Sequence, residues 1–312
     1  MHTHYSHPFA CSSSFLSPGI VFKRVNDMRI AGCLFVMVMT FSFPQAVQSS
    51  VRDALITYAH DVIPTLYPYM VLTTTIAESL QESKHVPLWM AVLLGMLGGT
   101  PSGFSMLSFL YNQRAVNRRR LYTVSILLGT ISPMFLFHTV KSWFGNKTFI
   151  ILLMISHYSG AVLSSVVIHR LMRKDTSVIK NCSSITITEK ASPITSCVSS
   201  VLNIGGCLVF FSVISVLFEI VFPTANKLWA AFIHSVLEIS GGLKALSACF
   251  SDYPKITGII AAACCGFSGI SMISQSHLFM KSFGISVTRL LLFGLLRAAI
   301  SGTVMFILIS FI

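Results

Sequence analysis

The chain has 312 residues, of which 54% are hydrophobic and only 10% charged, with a mean hydropathy of +0.76. A water-soluble domain carries about 25% charged residues, so a soluble enzyme, a nucleic-acid binder and a disordered scaffold all fall away. The net charge of +12 comes from basic residues set between apolar runs, where they retain loops in the cytoplasm and imply no nucleic acid.

A helix needs about 20 apolar residues to cross the hydrocarbon of a bilayer. Residues 1–29 read as a polar N-terminal tail, whose His2, His4 and His7 belong to a flexible tail and not to a metal site. Residues 30–50 read as an N-terminal transmembrane anchor. Runs free of Asp, Glu, Lys and Arg follow at 86–113, 121–140, 148–169, 191–218 and 256–280. Three more segments carry one or two charges: 54–80 with Asp61 and Glu78, 228–250 with Glu238 and Lys244, and 282–312 with Arg289 and Arg297. The expectation is an all-α polytopic membrane protein with about eight to nine membrane segments, since only helices satisfy their own backbone in lipid. Basic clusters at Lys23–Arg29, Arg114–Arg120 and Arg170–Lys180 all face the cytoplasm if residues 86–113 form a re-entrant segment. Eight cysteines are scattered without a CxxC pair and read as small hydrophobes, not as metal ligands.

A polar linker, 174–194, separates a first half, 51–173, from a second, 195–312. Across it Ser102-Gly103-Phe104-Ser105-Met106-Leu107-Ser108 matches Ser268-Gly269-Ile270-Ser271-Met272-Ile273-Ser274 at five of seven positions, so the halves read as repeats. Gly98-Gly99-Thr100-Pro101-Ser102-Gly103 does not continue as an ordinary helix, because proline lacks an N–H and clashes one turn back while glycines admit unwound dihedrals. Gly266-Phe267-Ser268-Gly269 is its counterpart, and Gly129-Thr130-Ile131-Ser132-Pro133 makes a third break. Small residues also serve close helix packing. Three breaks and a repeat together point instead to discontinuous helices around a transporter-type midplane site.

Glu238 is the foremost intramembrane charge: it binds a coupling cation, a proton or a substrate hydroxyl, or else pairs with Arg289 or Arg297 as a structural ion pair. Arg297 offers cationic balance for an anionic solute. His138 and His157 read as helix–helix hydrogen bonds or proton relays, and Gln275 as a group that donates and accepts together.

At these residues the chain resembles the YlbJ-like sporulation integral membrane proteins of the nucleoside-recognition (Gate) domain group. The matching pieces run from Val62-Ile63-Pro64-Thr65-Leu66-Tyr67-Pro68-Tyr69 through Gly99-Thr100-Pro101-Ser102-Gly103, Ser132-Pro133-Met134-Phe135 and His157-Tyr158. They continue with Gly205-Gly206-Cys207-Leu208-Val209-Phe210-Phe211, Leu237-Glu238-Ile239-Ser240-Gly241-Gly242 and Gly266-Phe267-Ser268-Gly269-Ile270-Ser271-Met272 to Gln275. Thr100, before the proline, and Leu128-Gly129-Thr130 depart from the family pattern.

The resemblance implies a role in sporulation and a bacterial cell membrane around the developing spore. It also implies transport of a small polar or anionic solute, dipicolinate-like or nucleoside-like. The expected substrate-binding residues are Gly99, Thr100, Pro101, Ser102, Gly103, Ser132, Pro133, Glu238, Gly266, Ser268, Gly269, Ser271 and Gln275. Partners are the lipid bilayer, the solute and a coupling ion (H+ or Na+), with a homo-oligomer allowed; no cofactor, metal site or catalytic residue is expected. The alternative is a membrane scaffold or sensor for spore coat or cortex assembly.

Overall fold

Apolar runs become helices wherever glycine, proline or a capping side chain does not interrupt them, and interruptions are what shape this chain. The computed structural model describes residues 18–82, 88–99, 103–104, 107, 116–173, 178–179 and 192–311. It divides into two compact units, Met1–Pro44 and Gln45–Ile312. The first contains helix α1, Pro18–Ser42, which begins inside the stretch read as a polar tail.

The second unit holds the remaining elements, and the 174–194 linker does not split it. Helix α2 (Pro44–Thr57) turns Val47, Ala54 and Thr57 inward. A π-helical segment, Tyr58–Val62, joins it to α3 (Ile63–Glu82), which carries Pro68 inside it. Helix α4 (Leu88–Gly98) ends at Gly99, where φ is +80°. Helix α5 (Arg118–Leu128) ends at the Gly129–Ser132 break; a second π segment, Phe135–Val140, then leads into α6 (Lys141–Phe144) and α7 (Lys147–Leu171). The two π segments meet where the Asp61 carbonyl accepts from Thr139 Oγ1 (2.9 Å) and Thr65 Oγ1 (2.8 Å). Beyond the linker come α8 (Pro193–Val221), α9 (Lys227–Leu237), α10 (Ile239–Ala248), α11 (Pro254–Phe267), α12 (Gly269–Met280) and α13 (Val287–Ser310). The strand content among the described residues is one two-residue antiparallel pair, Val116–Asn117 with Val178–Ile179.

Four described helical stretches are long and apolar enough to cross a membrane: Lys147–Leu171, Ile194–Val221, Pro254–Met280 and Val287–Ser310. Ile30–Ser42 with Pro44–Ile76, counted as one span, makes five. The surface is apolar, with Trp89, Leu202, Leu292 and Phe306 all more than half exposed, whereas Thr130, Ser156, Ser164, Ser235 and Ser301 are fully buried. That inversion of the usual soluble pattern is what a lipid solvent selects.

Arg118, Arg119 and Arg120 lie at the same end of the antiparallel pair α5–α7 as Arg170 and Arg173, because Arg119 Nε donates to the His169 carbonyl at 2.8 Å. Arg289, 5.6 Å over the Tyr122 ring, joins the same end. At the opposite end, where α6 meets α7, Phe250 stacks on Phe144 (5.2 Å) and Phe149 (4.5 Å).

Residues 228–250, read as one membrane segment, are instead a helical hairpin. Helices α9 and α10 have 11 and 10 residues, each about 16 Å long, or roughly half of a 30 Å hydrocarbon layer. They cross where Gly242 lies so near Ser235 that a Cβ would collide with the Ser235 backbone. Gly242→Ala is therefore expected to destabilise the protein by about 1–3 kcal/mol, as overpacking does. Gly206→Ala, with open space where its Cβ would go, should leave the melting temperature of the purified protein unchanged.

Candidate functional site

A break within the membrane leaves carbonyl and N–H groups that lipid cannot satisfy. At the first break, Ser132 Oγ accepts from Phe135 N (3.2 Å) and caps the helix that Pro133 opens, the positions where serine and proline are favoured. The unwound Ile131 is held from α7: its N–H donates to His157 Nε2 (3.1 Å) and its carbonyl accepts from Tyr158 OH (2.8 Å). His157 thus works as a helix–helix hydrogen bond. Because Nε2 accepts, the neutral ring carries its proton on Nδ1, which has no partner among the described residues.

At the second break, Ser268 (φ 72°) and Gly269 (φ 77°) are both left-handed. Arg297, 5% exposed, reaches in from α13. Its Nε donates to Gly266 O (3.0 Å), Nη1 to Ile126 O (3.1 Å) and Nη2 to Ser268 Oγ (3.3 Å). The guanidinium therefore sits between the carbonyl ends of α5 and α11, where helix dipoles favour a cation. The Ser268 hydroxyl lies within reach of Gly129 O (3.2 Å) and Cys265 O (3.1 Å), and its one hydrogen serves either of them. Gly129 makes room, since a Cβ there would collide with the Arg297 guanidinium.

The third interruption is Glu238, 4% exposed and extended (φ −140°, ψ 118°) between α9 and α10. Its N–H donates to His234 O (2.7 Å) and closes α9. Its Oε1 accepts from Ser240 N (2.9 Å) and its Oε2 from Gly241 N (2.6 Å), so the carboxylate caps α10. The ion pair with Arg289 or Arg297 is not formed: Arg289 Nη1 donates to Gly284 O (3.0 Å), and Arg297 is engaged by the two breaks. Carbonyls at a helix end attract a guanidinium without any carboxylate. Arg297 accordingly serves the protein backbone in this conformation.

Five of the residues singled out in the sequence share one cavity of about 60 Å³: Gly99, Ser132, Glu238, Ser271 and Gln275. Its remaining wall is mostly apolar, from Val62 at the end of the first π segment, Leu66 and Met70 on α3 and Ile204 and Leu208 on α8. Others lie elsewhere. Pro133 opens a helix, Gly103 packs against Gly95, and Gly266, Ser268 and Gly269 build the Arg297 junction. Thr100, Pro101 and Ser102 fall outside the described residues. The α3 and α8 wall was missed because its side chains have the composition of any core stripe. One water occupies about 10–15 Å³ of such volume, whereas pockets for small molecules are about 300–1,000 Å³. The cavity in this conformation therefore holds a few waters or an ion and excludes a ring-sized solute.

The chain is 22% identical over 309 residues to the Sporulation integral membrane protein YlbJ of Bacillus subtilis (strain 168), a match covering 81% of this chain and 75% of that protein. The YlbJ-like resemblance stands. No family model and no solved structure matches. The similarity to YlbJ and the long apolar helices agree in making this an integral membrane protein.

Two substitutions report on the Arg297 junction. Arg297→Met strands the Gly266 and Ile126 carbonyls, at about 1–3 kcal/mol for each orphaned group, and Gly129→Ala displaces the guanidinium. Both should lower the melting temperature in detergent by several degrees. Arg297→Lys should recover little of that loss, because a single ammonium lacks the planar fork that meets three acceptors.

Proposed function

We propose that the chain is an integral membrane protein of sporulation acting as a secondary transporter or permease for a small polar or anionic solute, dipicolinate-like or nucleoside-like. The observation that carries this reading is the single cavity lined by Gly99, Ser132 and Glu238 at three interruptions and by Ser271 and Gln275 on α12. Discontinuous helices meeting around one polar space are how secondary transporters build a midplane site. Glu238 offers a carboxylate to a coupling H+ or Na+ or to a solute hydroxyl, and Gln275 offers a donor and an acceptor to a heteroaromatic edge.

A two-half plan with eight to nine segments, as in the nucleoside-recognition (Gate) group, draws support from the order of elements. In the first half α4 ends at left-handed Gly99, just ahead of the Ser102–Ser108 copy; in the second α11 ends at left-handed Ser268, where the Ser268–Ser274 copy begins. The site resides in a bacterial cell membrane around the developing spore, in one chain or a homo-oligomer, and carries out no catalysis of its own. Alternating access would enlarge the cavity several-fold.

The test is the small-molecule content of spores carrying Glu238→Gln or Gln275→Ala at wild-type protein abundance, measured by mass spectrometry. One solute should fall by about tenfold, the loss that about 1.4 kcal/mol of binding produces. Normal content in spores with a malformed coat would overturn transport in favour of a scaffold or sensor.

A further inference from the structure

A second space lies on the other side of the hairpin tip. It has a volume of about 630 Å³, within the small-molecule range and roughly tenfold larger than the Glu238 cavity. Its polar lining includes Ser49, Asp53 and Thr57 on α2, Ser212 on α8, and Lys244 on the hairpin. Lys244 lies six residues past Glu238, about 9 Å along α10 from the hairpin tip. Its ammonium donates to Thr57 Oγ1 (3.1 Å) and forms no ion pair among the described residues. The other titratable pair on this face, Glu219 with His234 at 3.2 Å, is already joined. An unpaired ammonium and a row of hydroxyls are stable against water and costly against hydrocarbon, so this lining favours a water-filled cleft.

Its boundary with the cavity is thin. Leu208 lines both spaces, and adjacent residues of the hairpin tip divide between them, Ser240 facing the cavity and Gly241 the cleft.

We infer that this cleft is the vestibule by which a small carboxylate-bearing solute reaches the Glu238 cavity, with Lys244 as its first contact and Leu208 plus the Glu238–Gly241 turn as the barrier. Asp53 in the same lining favours a carboxylate that also carries a hydrogen-bond donor. The inference rests on the transport reading for its direction, but its test does not.

Cysteines placed at Ser212 or Ser49 in membrane vesicles are treated with an anionic and a cationic methanethiosulfonate, and labelling at each site is read by peptide mass spectrometry. Both sites should react, the anionic reagent being favoured. Lys244→Gln should lower the anionic-to-cationic rate ratio about thirtyfold, since one unit charge about 4 Å away in water acts about fivefold on each reagent and in opposite directions, whereas Lys244→Arg preserves it. Millimolar malate, a carboxylate with a hydroxyl donor for Asp53, should slow the anionic reagent at Ser212→Cys. A cysteine at Ser271 should stay unreactive until Leu208→Ala is added.

Probes inert to both reagents, or a rate ratio indifferent to Lys244→Gln, overturn the vestibule. Failure of malate to slow labelling overturns the solute class, and a Ser271→Cys that reacts without Leu208→Ala overturns the barrier. A reactive, charge-sensitive cleft in a protein whose Glu238→Gln spores keep normal solutes would refute transport and leave the vestibule standing. Inert probes with a lost solute would do the reverse.

Discussion

A backbone interrupted in hydrocarbon must find its hydrogen bonds within the protein, and here one side chain serves the ends of two helices at once. Arg297 donates to the carbonyl ends of two separate helices and to the hydroxyl of the left-handed residue between α11 and α12. Its neighbours are arranged around that fork. Gly129 has no side chain because the guanidinium occupies the space, and Gly266 has none because the α13 backbone passes within contact distance, with Arg297 O 2.7 Å from where a Cβ would be. The first break uses neutral donors and acceptors instead, from His157 and Tyr158, and the third uses the Glu238 carboxylate. An N-terminal end is served by an anion, a C-terminal end by a cation, and a lone unwound residue by a neutral pair.

Much of this was legible in the sequence. Composition identified the solvent, and the uncharged runs at 148–169 and 256–280 fall within two residues of Lys147–Leu171 and Pro254–Met280. The break at 129–133 was readable because glycine, serine and proline each carry a local reason to stop or start a helix. Residues 228–250 were not readable as a hairpin. They contain no proline, and the chain turns at a glutamate whose capping role depends on the two amides it faces. Arg297 was visible as a buried charge, but the natural partner to look for was a carboxylate; backbone carbonyls freed by distant breaks leave no mark in a sequence. His157 and Tyr158 were matched as a motif, and their role became definite only once Ile131 was seen unwound.

The interrupted elements divide the chain's second unit into differently fastened parts. Helices α5, α7, α11 and α13 are joined by side-chain bonds to one another's broken backbones, together with glycine contacts at Gly160 and Gly266. The α9–α10 hairpin is held at its tip by bonds internal to the hairpin and, farther down, by the Lys244–Thr57 bond, the Glu219–His234 contact with α8 and the burial of Leu243 and Leu246 in the core. The cavity and the cleft lie on either side of that tip, so displacement of the hairpin alters both spaces at once.

The capping of α10 by Glu238 carries a thermodynamic consequence. Both carboxylate oxygens accept from amides of the same helical turn, so a proton or metal ion that takes a remaining lone pair withdraws charge from those bonds and weakens them. Binding and local helix geometry then form a linked equilibrium, and the linkage is reciprocal: an occupant that loosens the turn binds more tightly when the turn is already loose. A single glutamate in this position makes occupancy and shape one variable.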